Sequence, residues 1–327
     1  MPLRMRFAAE DLLRCRFAIS PLRETQGAIR TLSRPDRHGY HLPWLRQVRA
    51  AAAGLDLAPL WLLAPEHGHG PDFLHPPLRG PLTALEDELA AVRATPADVA
   101  RRQIAAALAR TPGASAGRRG RAMLADPEGT VRQLAALYEQ VWTSLLAPHW
   151  PRLRAVLEAD VAYHSRRLAD GGMQRLFTGL HPKLSWSEGS LTAAGNAALP
   201  ETGGQGLVLV PSVFFWPEAG SAFDPPWQPT VIYPARGIGG LWAETGPAAS
   251  TALVRLLGAG RAAILTGLEA PSTTTALAHR HAMAMSSVSA HLSVLRDAGL
   301  LVSRRYGHQV LYERTALGVA VATGGLS

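Results

Sequence analysis

From residue 82 to about residue 180, apolar positions recur at helical spacing. The clearest stripe is Leu134, Leu137, Tyr138, Val141 and Leu145, with steps of 3, 1, 3 and 4. Such steps keep one side of a helix apolar and predict a core face. Thr95-Pro96 and Asp126-Pro127 are start signals for two of these helices, since proline suits a first helical turn. Glu86-Asp87-Glu88 reads as a solvated helix face. Upstream, residues 3–54 predict a short strand and two helices, one opened by Ser20-Pro21 and ending near Arg34-Pro35, the other running from Pro43 to Gly54. Residues 65–81 hold five prolines, with His67, His69 and His75 nearby, and predict a loop. After Gly179 the pattern shortens. Residues 206–210 and 230–233 are brief apolar runs bounded by Pro and Gly, suited to strands of a small sheet. Aromatic side chains concentrate in this part of the chain. Trp216, Trp227, Tyr233 and Trp242 are the candidate contacts for a small-molecule effector, the alternative being that they fill a sheet core.

The pattern changes again at Gly246-Pro247, which divides the chain into domains at 1–245 and 246–320. Leu253, Leu256 and Leu257 are expected on one helix face, and residues 261–265 form the next helix. Ser272 reads as the cap of a short helix over 273–281. Residues 285–298 then predict a helix whose apolar positions, Val288, Leu292 and Leu295, step by 4 and 3. Its opposite face carries Ser286, Ser289, Ala290 and Arg296. Short hydroxyl side chains let a helix approach bases and phosphates closely, and a helix N-terminus favours phosphate. Residues 300–306 read as a strand, Gly307-His308 as a turn and residues 309–312 as the return strand, with Arg304, Arg305 and His308 gathered toward the tip.

Composition narrows the classes. At 327 residues, 47% hydrophobic and 18% charged, the chain suits about two globular domains. No run of 18 apolar residues is free of charge, and the N-terminal residues lack the apolar run of a secretion signal, so a cytoplasmic protein off the membrane is expected. Cys15 is the single cysteine, which excludes an intramolecular disulfide and a multi-thiolate metal site within one chain. The net charge is +8 and the pI about 10.4, favouring a polyanionic partner. Every basic residue but Lys183 is arginine, a skew that fits a GC-rich genome, so location matters more than total. From residue 248 onward seven arginines face Glu269, Asp297 and Glu313, a net of +4.

The run Ser287-Val288-Ser289-Ala290-His291-Leu292-Ser293-Val294-Leu295-Arg296-Asp297-Ala298-Gly299-Leu300-Leu301 resembles the recognition helix and wing entry of the ArsR/SmtB family, which reads S-x-H-L-x-x-L-x-x-A-G-L. Residues 305–312 are similar to that family's wing, R-x-G-x-x-x-x-Y. The likeness covers about the last 75 residues. It implies an α+β chain, mostly helical with a small β region, ending in a winged helix-turn-helix. It implies a homodimeric, nucleoid-associated repressor bound to double-stranded DNA, and it adds Ser287 and His291 to the candidate DNA contacts. The first 245 residues, in phrases such as Phe7-Ala8-Ala9-Glu10-Asp11-Leu12 and Leu209-Val210-Pro211-Ser212-Val213-Phe214, resemble the N-terminal part of larger actinobacterial regulators of this type.

Two departures stand out. Metal-sensing members carry Cys-x-Cys before the recognition helix, where this chain has Leu277-Ala278-His279-Arg280-His281. Two histidines two apart on a helix point about 200° apart, so neither a metal site nor a cofactor is expected here. Ala284 stands where a capping Ser or Asp is usual. The rivals are a winged helix that binds protein and an enzyme with a pocket in residues 183–245. Neither H-E-x-x-H nor G-x-x-x-x-G-K-[ST] occurs.

Overall fold

The computed structural model describes residues 3–35, 38–64, 70–193, 204–215, 220–222, 228–238, 241–242, 248–281, 283–306 and 309–323. The chain is α+β. Its compact units divide as Met1–Ser33 with Val48–Pro234, and Arg34–Gln47 with Ala235–Ser327. The division therefore departs from the boundary expected at Gly246. It moves to Ala235, and it assigns a short N-terminal segment to the second unit.

The first unit begins with β1 (Leu3–Arg6), α1 (Ala9–Leu13), β2 (Arg16–Phe17) and α2 (Pro21–Ser33). The Ser20 Oγ accepts the Arg23 amide at 3.0 Å and caps α2 as its sequence implied. Helix α3 (Leu42–Ala53) crosses the division, and α4 (Ala58–Leu62), α5 (Leu85–Arg93), α6 (Ala97–Ala109), α7 (Arg118–Ala125), α8 (Pro127–Val141) and α9 (Trp150–Thr178) follow. The apolar stripe of α8 faces inward as expected, with Leu134, Tyr138 and Val141 buried. Asp126 caps α8 by accepting the Gly129 amide at 2.8 Å. Helix α9 is broken at Gly171-Gly172, where Gly172 takes φ +61°.

Glu88 corrects the solvated face expected of the 86–88 acids. It is only 3% exposed. Its carboxylate accepts the Ser20 hydroxyl and, at 2.9 Å, the Leu22 amide, so α5 supplies a second cap to α2. Burial pushes its pKa up to about 7, against the hydrogen bonds and the nearby Arg23 that lower it.

The β region forms two sheets. Strands β1, β4 (Ser190–Ala193) and β3 (Leu184–Ser187) are antiparallel in that order. In the other, β2, β5 (Val208–Ser212) and β7 (Thr230–Pro234) run parallel, and β6 (Gly220–Ala222) adds an antiparallel edge. Every residue of β5 and β7 is buried, as expected for parallel strands covered on both faces. Leu209, Val231 and Tyr233 pack with Phe177, Leu191 and Met5 on one side; Val208, Val210 and Ile232 pack with Ala18 and Leu78 on the other.

The second unit holds α10 (Ala248–Leu257), α11 (Ala259–Gly267), α12 (Thr274–His281), α13 (Met285–Asp297), β8 (Leu301–Tyr306), β9 (Gln309–Arg314) and α14 (Ala316–Thr323). Its core is Ile264, Leu265, Leu277, Val288, Leu292, Leu295 and neighbours. Leu253 joins that core, but Leu256, expected on the same face, is 74% exposed.

Residues 38–44 complete this unit. The Tyr40 hydroxyl accepts the Arg314 amide at 3.1 Å, and the Arg314 guanidinium lies 5.8 Å from the Tyr40 ring centre. Burial pushes the Tyr40 pKa up to about 12. Gly39 lies against the backbone at Thr315 and Ala316; a Cβ there would meet the Ala316 nitrogen at 2.8 Å, so only glycine fits. Trp44 stacks on Trp242 at 6.2 Å, and the Trp242 indole donates to His41 Nδ1 at 3.0 Å. We expect Tyr40→Ala to destabilise the second unit by about 3 kcal/mol, the scale of an emptied aromatic site. Tyr40→Phe, which loses one hydrogen bond, should cost about 1 kcal/mol. Denaturant midpoints of the two variants measure this; equal midpoints for Tyr40→Ala and the parent would detach the segment from the unit.

Candidate nucleic-acid interface

Helix α13 is anchored from below and at its C-terminus. Val288, Leu292 and Leu295 are buried at 1% exposure or less, so the helix has one possible rotation about its axis. At its C-terminus the Gly299 amide donates to the Arg296 carbonyl at 2.8 Å and the Leu300 amide to the Leu295 carbonyl at 2.9 Å. Gly299, at φ +72°, supplies the left-handed residue that this paired closure requires. At its N-terminus Ala284 occupies the cap position without a side-chain bond, as the sequence implied. The preceding helix corrects one expectation. Thr273, not Ser272, caps α12, through its Oγ1 and the Ala276 amide at 3.1 Å. Ser272 instead pairs with β9: its amide donates to the Tyr312 carbonyl at 3.1 Å, and its carbonyl accepts the Tyr312 amide at 3.0 Å.

The fixed rotation leaves Ser286, Ser287, Ser289 and Ala290 exposed on α13. His291 is set apart from them. It is half-buried and stands against Gly260 of α11, where a Cβ would come within 2.8 Å of its Nε2. Arg296 is exposed, but its guanidinium lies 3.3 Å from the Asp297 carboxylate and 3.4 Å from the Ser293 hydroxyl, so its charge is locally balanced.

In the hairpin, Arg304 registers with Leu311 and Arg305 with Val310. Adjacent strand residues point to opposite faces, so the two arginines do not share a surface. Arg304 pairs with Glu313 at 2.7 Å, and Glu313 is buried; this arginine holds the two strands together. Arg305 is exposed on the other face. His308 lies outside the described residues. The net of +4 in this region is therefore not spread over one surface. Arg314 is buried and donates to the Leu268 carbonyl at 2.9 Å, and burial lowers its pKa. His279 is exposed, whereas His281 turns onto Gly267, in keeping with their divergent directions.

The aromatic candidates separate. Tyr233 is a sheet-core residue of the first unit, fully buried with Asp160 and His164 beside it. Trp242 belongs to the second unit, buried against Trp44 and His41. Trp216 and Trp227 lie outside the described residues. Sequence reasoning missed the Arg296–Asp297 and Arg304–Glu313 pairs. The first was visible as neighbours in the chain; the second follows from the hairpin register once its turn is placed.

Residues 82–239 match a family described as a family of unknown function (DUF5937). The matched stretch takes in α5 to β7 and ends before α10. No curated protein and no solved structure matches the chain. Among the described residues no helix is long and apolar enough to cross a membrane.

Proposed function

We propose that residues 248–323 act as a winged helix-turn-helix that binds double-stranded DNA, with α13 entering the major groove and the β8–β9 hairpin as its wing. On this reading the chain is a dimeric, nucleoid-associated, ArsR-like repressor without the thiolate metal site. One observation carries the proposal. The order of elements is helix, single-residue bridge at Ser272, helix, helix and hairpin, and the core of this unit turns Ser286, Ser287, Ser289 and Ala290 outward on α13. Small side chains on that face permit close backbone approach to base edges. The uncapped N-terminus of α13 leaves amides for a phosphate, and Arg305 adds a cation on the wing.

A second reading, a winged helix that binds another protein, is favoured by the exposure of Met285 and Val294 on α13, at 57% and 46%. Gel retardation separates the two. With fragments of the protein's own promoter region and excess competitor DNA, the DNA reading expects a discrete complex that survives the competitor and weakens linearly in log salt. Binding that any competitor removes equally would favour the protein-binding reading.

A further inference from the structure

The first unit carries a cleft of about 750 Å³ between the start of α5 and the junction of α8 with α9. The junction is unusual in backbone terms. Residues Trp142–Leu146 form a π-helical turn, a widened form found mostly as single turns and often at functional sites. The turn changes the phase of the side chains. Leu145 and Leu146 stay fully buried, while Trp142 and Thr143 line the cleft.

Trp150, the first residue of α9, also lines it and meets Trp142 edge to face, with ring centres 4.9 Å apart. Both indoles are only half-buried, although each could cover a large apolar area in a core. The charges around them are unequal. Arg93 pairs with Glu139 at 2.6 Å and Arg154 with Glu158 at 2.7 Å. Glu86 also lines the cleft, and among the described residues it has no ion-pair partner. The wall thus offers open indole surface beside one uncompensated carboxylate. Indole faces attract cations more strongly than the other aromatic side chains do, and the carboxylate disfavours an anion.

We propose that this cleft is a binding site for a flat, positively charged aromatic small molecule, held on the Trp142–Trp150 pair with its charge toward Glu86. The inference does not depend on DNA binding, and its test contains no DNA. The full chain is titrated with thioflavin T as the cationic probe, with N-phenyl-1-naphthylamine as a neutral one and with 8-anilinonaphthalene-1-sulfonate as an anionic one. Dye emission and tryptophan quenching are followed together. The expected result is saturable binding of the cationic dye at one site per chain. Trp142→Ala and Trp150→Ala should each weaken it about tenfold. Glu86→Gln should weaken the cationic dye severalfold and leave the neutral dye unchanged. Thr143→Trp, on an exposed residue, should fill the cleft and abolish binding with an unchanged melting temperature, which keeps the test decisive if the tryptophan variants fail to fold. Unsaturable binding, preference for the anionic dye, or full binding by Thr143→Trp would each overturn the proposal.

Discussion

Ser289→Glu and Arg305→Glu should each lower affinity for specific DNA by roughly a hundredfold while leaving the melting temperature unchanged, the scale of one lost base or backbone contact plus a new repulsion. Ser289 is exposed on α13, three residues from Ser286 and so on the same side, and Arg305 is exposed on the β8–β9 hairpin. Neither belongs to the apolar core of the second unit. Arg304 makes the contrast. Arg304→Ala leaves the buried Glu313 carboxylate without its 2.7 Å partner, so this variant should lose stability first and DNA affinity as a consequence. Fluorescence anisotropy at matched salt, beside thermal melts, distinguishes the two patterns. If the Ser289 and Arg305 variants keep parental affinity, the winged-helix assignment falls.

Lowering the pH from 8 to 5 should stabilise the first unit by several kcal/mol, less the opposing contribution of His149, whose pKa burial lowers. The cause lies in two buried carboxyls of the first unit. Glu24 is fully buried on α2 and faces Ser212 and the Val213 amide; burial pushes its pKa from 4.5 to about 8. Glu88 is pushed in the same direction, to about 7. An acid whose folded pKa lies above its unfolded value holds its proton in the folded state after the unfolded chain has released it. Between pH 4.5 and 8 the unfolded state therefore binds fewer protons, and stability falls as pH rises. Each tenfold difference in proton affinity is worth about 1.4 kcal/mol. Glu24→Gln mimics the protonated form, so it should match the parent near pH 5 and exceed it by roughly 3–4 kcal/mol near pH 8. Urea unfolding across this range measures the slope. A parent curve that is flat or rises with pH, or a Glu24→Gln curve parallel to it, would refute the assignment.

Local order in the chain told much about the second unit and little about the first. The α13 stripe, the Gly299 closure and the β8–β9 hairpin each depend on neighbours within a few residues, and periodicity with turn chemistry reveals such features. The α8 stripe was legible for the same reason. The parallel sheet was not, because β2 is only Arg16–Phe17 and its partner β5 lies almost two hundred residues away. Glu88 looked like part of an acidic surface because its partners, Ser20 and Leu22, are more than sixty residues upstream. The aromatic concentration after residue 183 is a feature of composition. Whether an indole fills a core or opens to a ligand is set by packing, and Tyr233 and Trp242 proved to be core residues of separate units.

The seating of Tyr40 and Trp44 among C-terminal residues has a consequence for the order in which the protein can mature. As the polypeptide leaves the ribosome, residues 34–47 emerge well before residue 235, where the rest of their unit begins. At common elongation rates that interval is roughly 10–40 s. All of residues 48–234 appear in that time, so the first unit can close around its own sheet while two large aromatic side chains await burial. The second unit is thus the last part to form. A fragment begun at Gly246 would lack Tyr40, Trp44 and Trp242 together, and it would report on an unfinished domain rather than an isolated one.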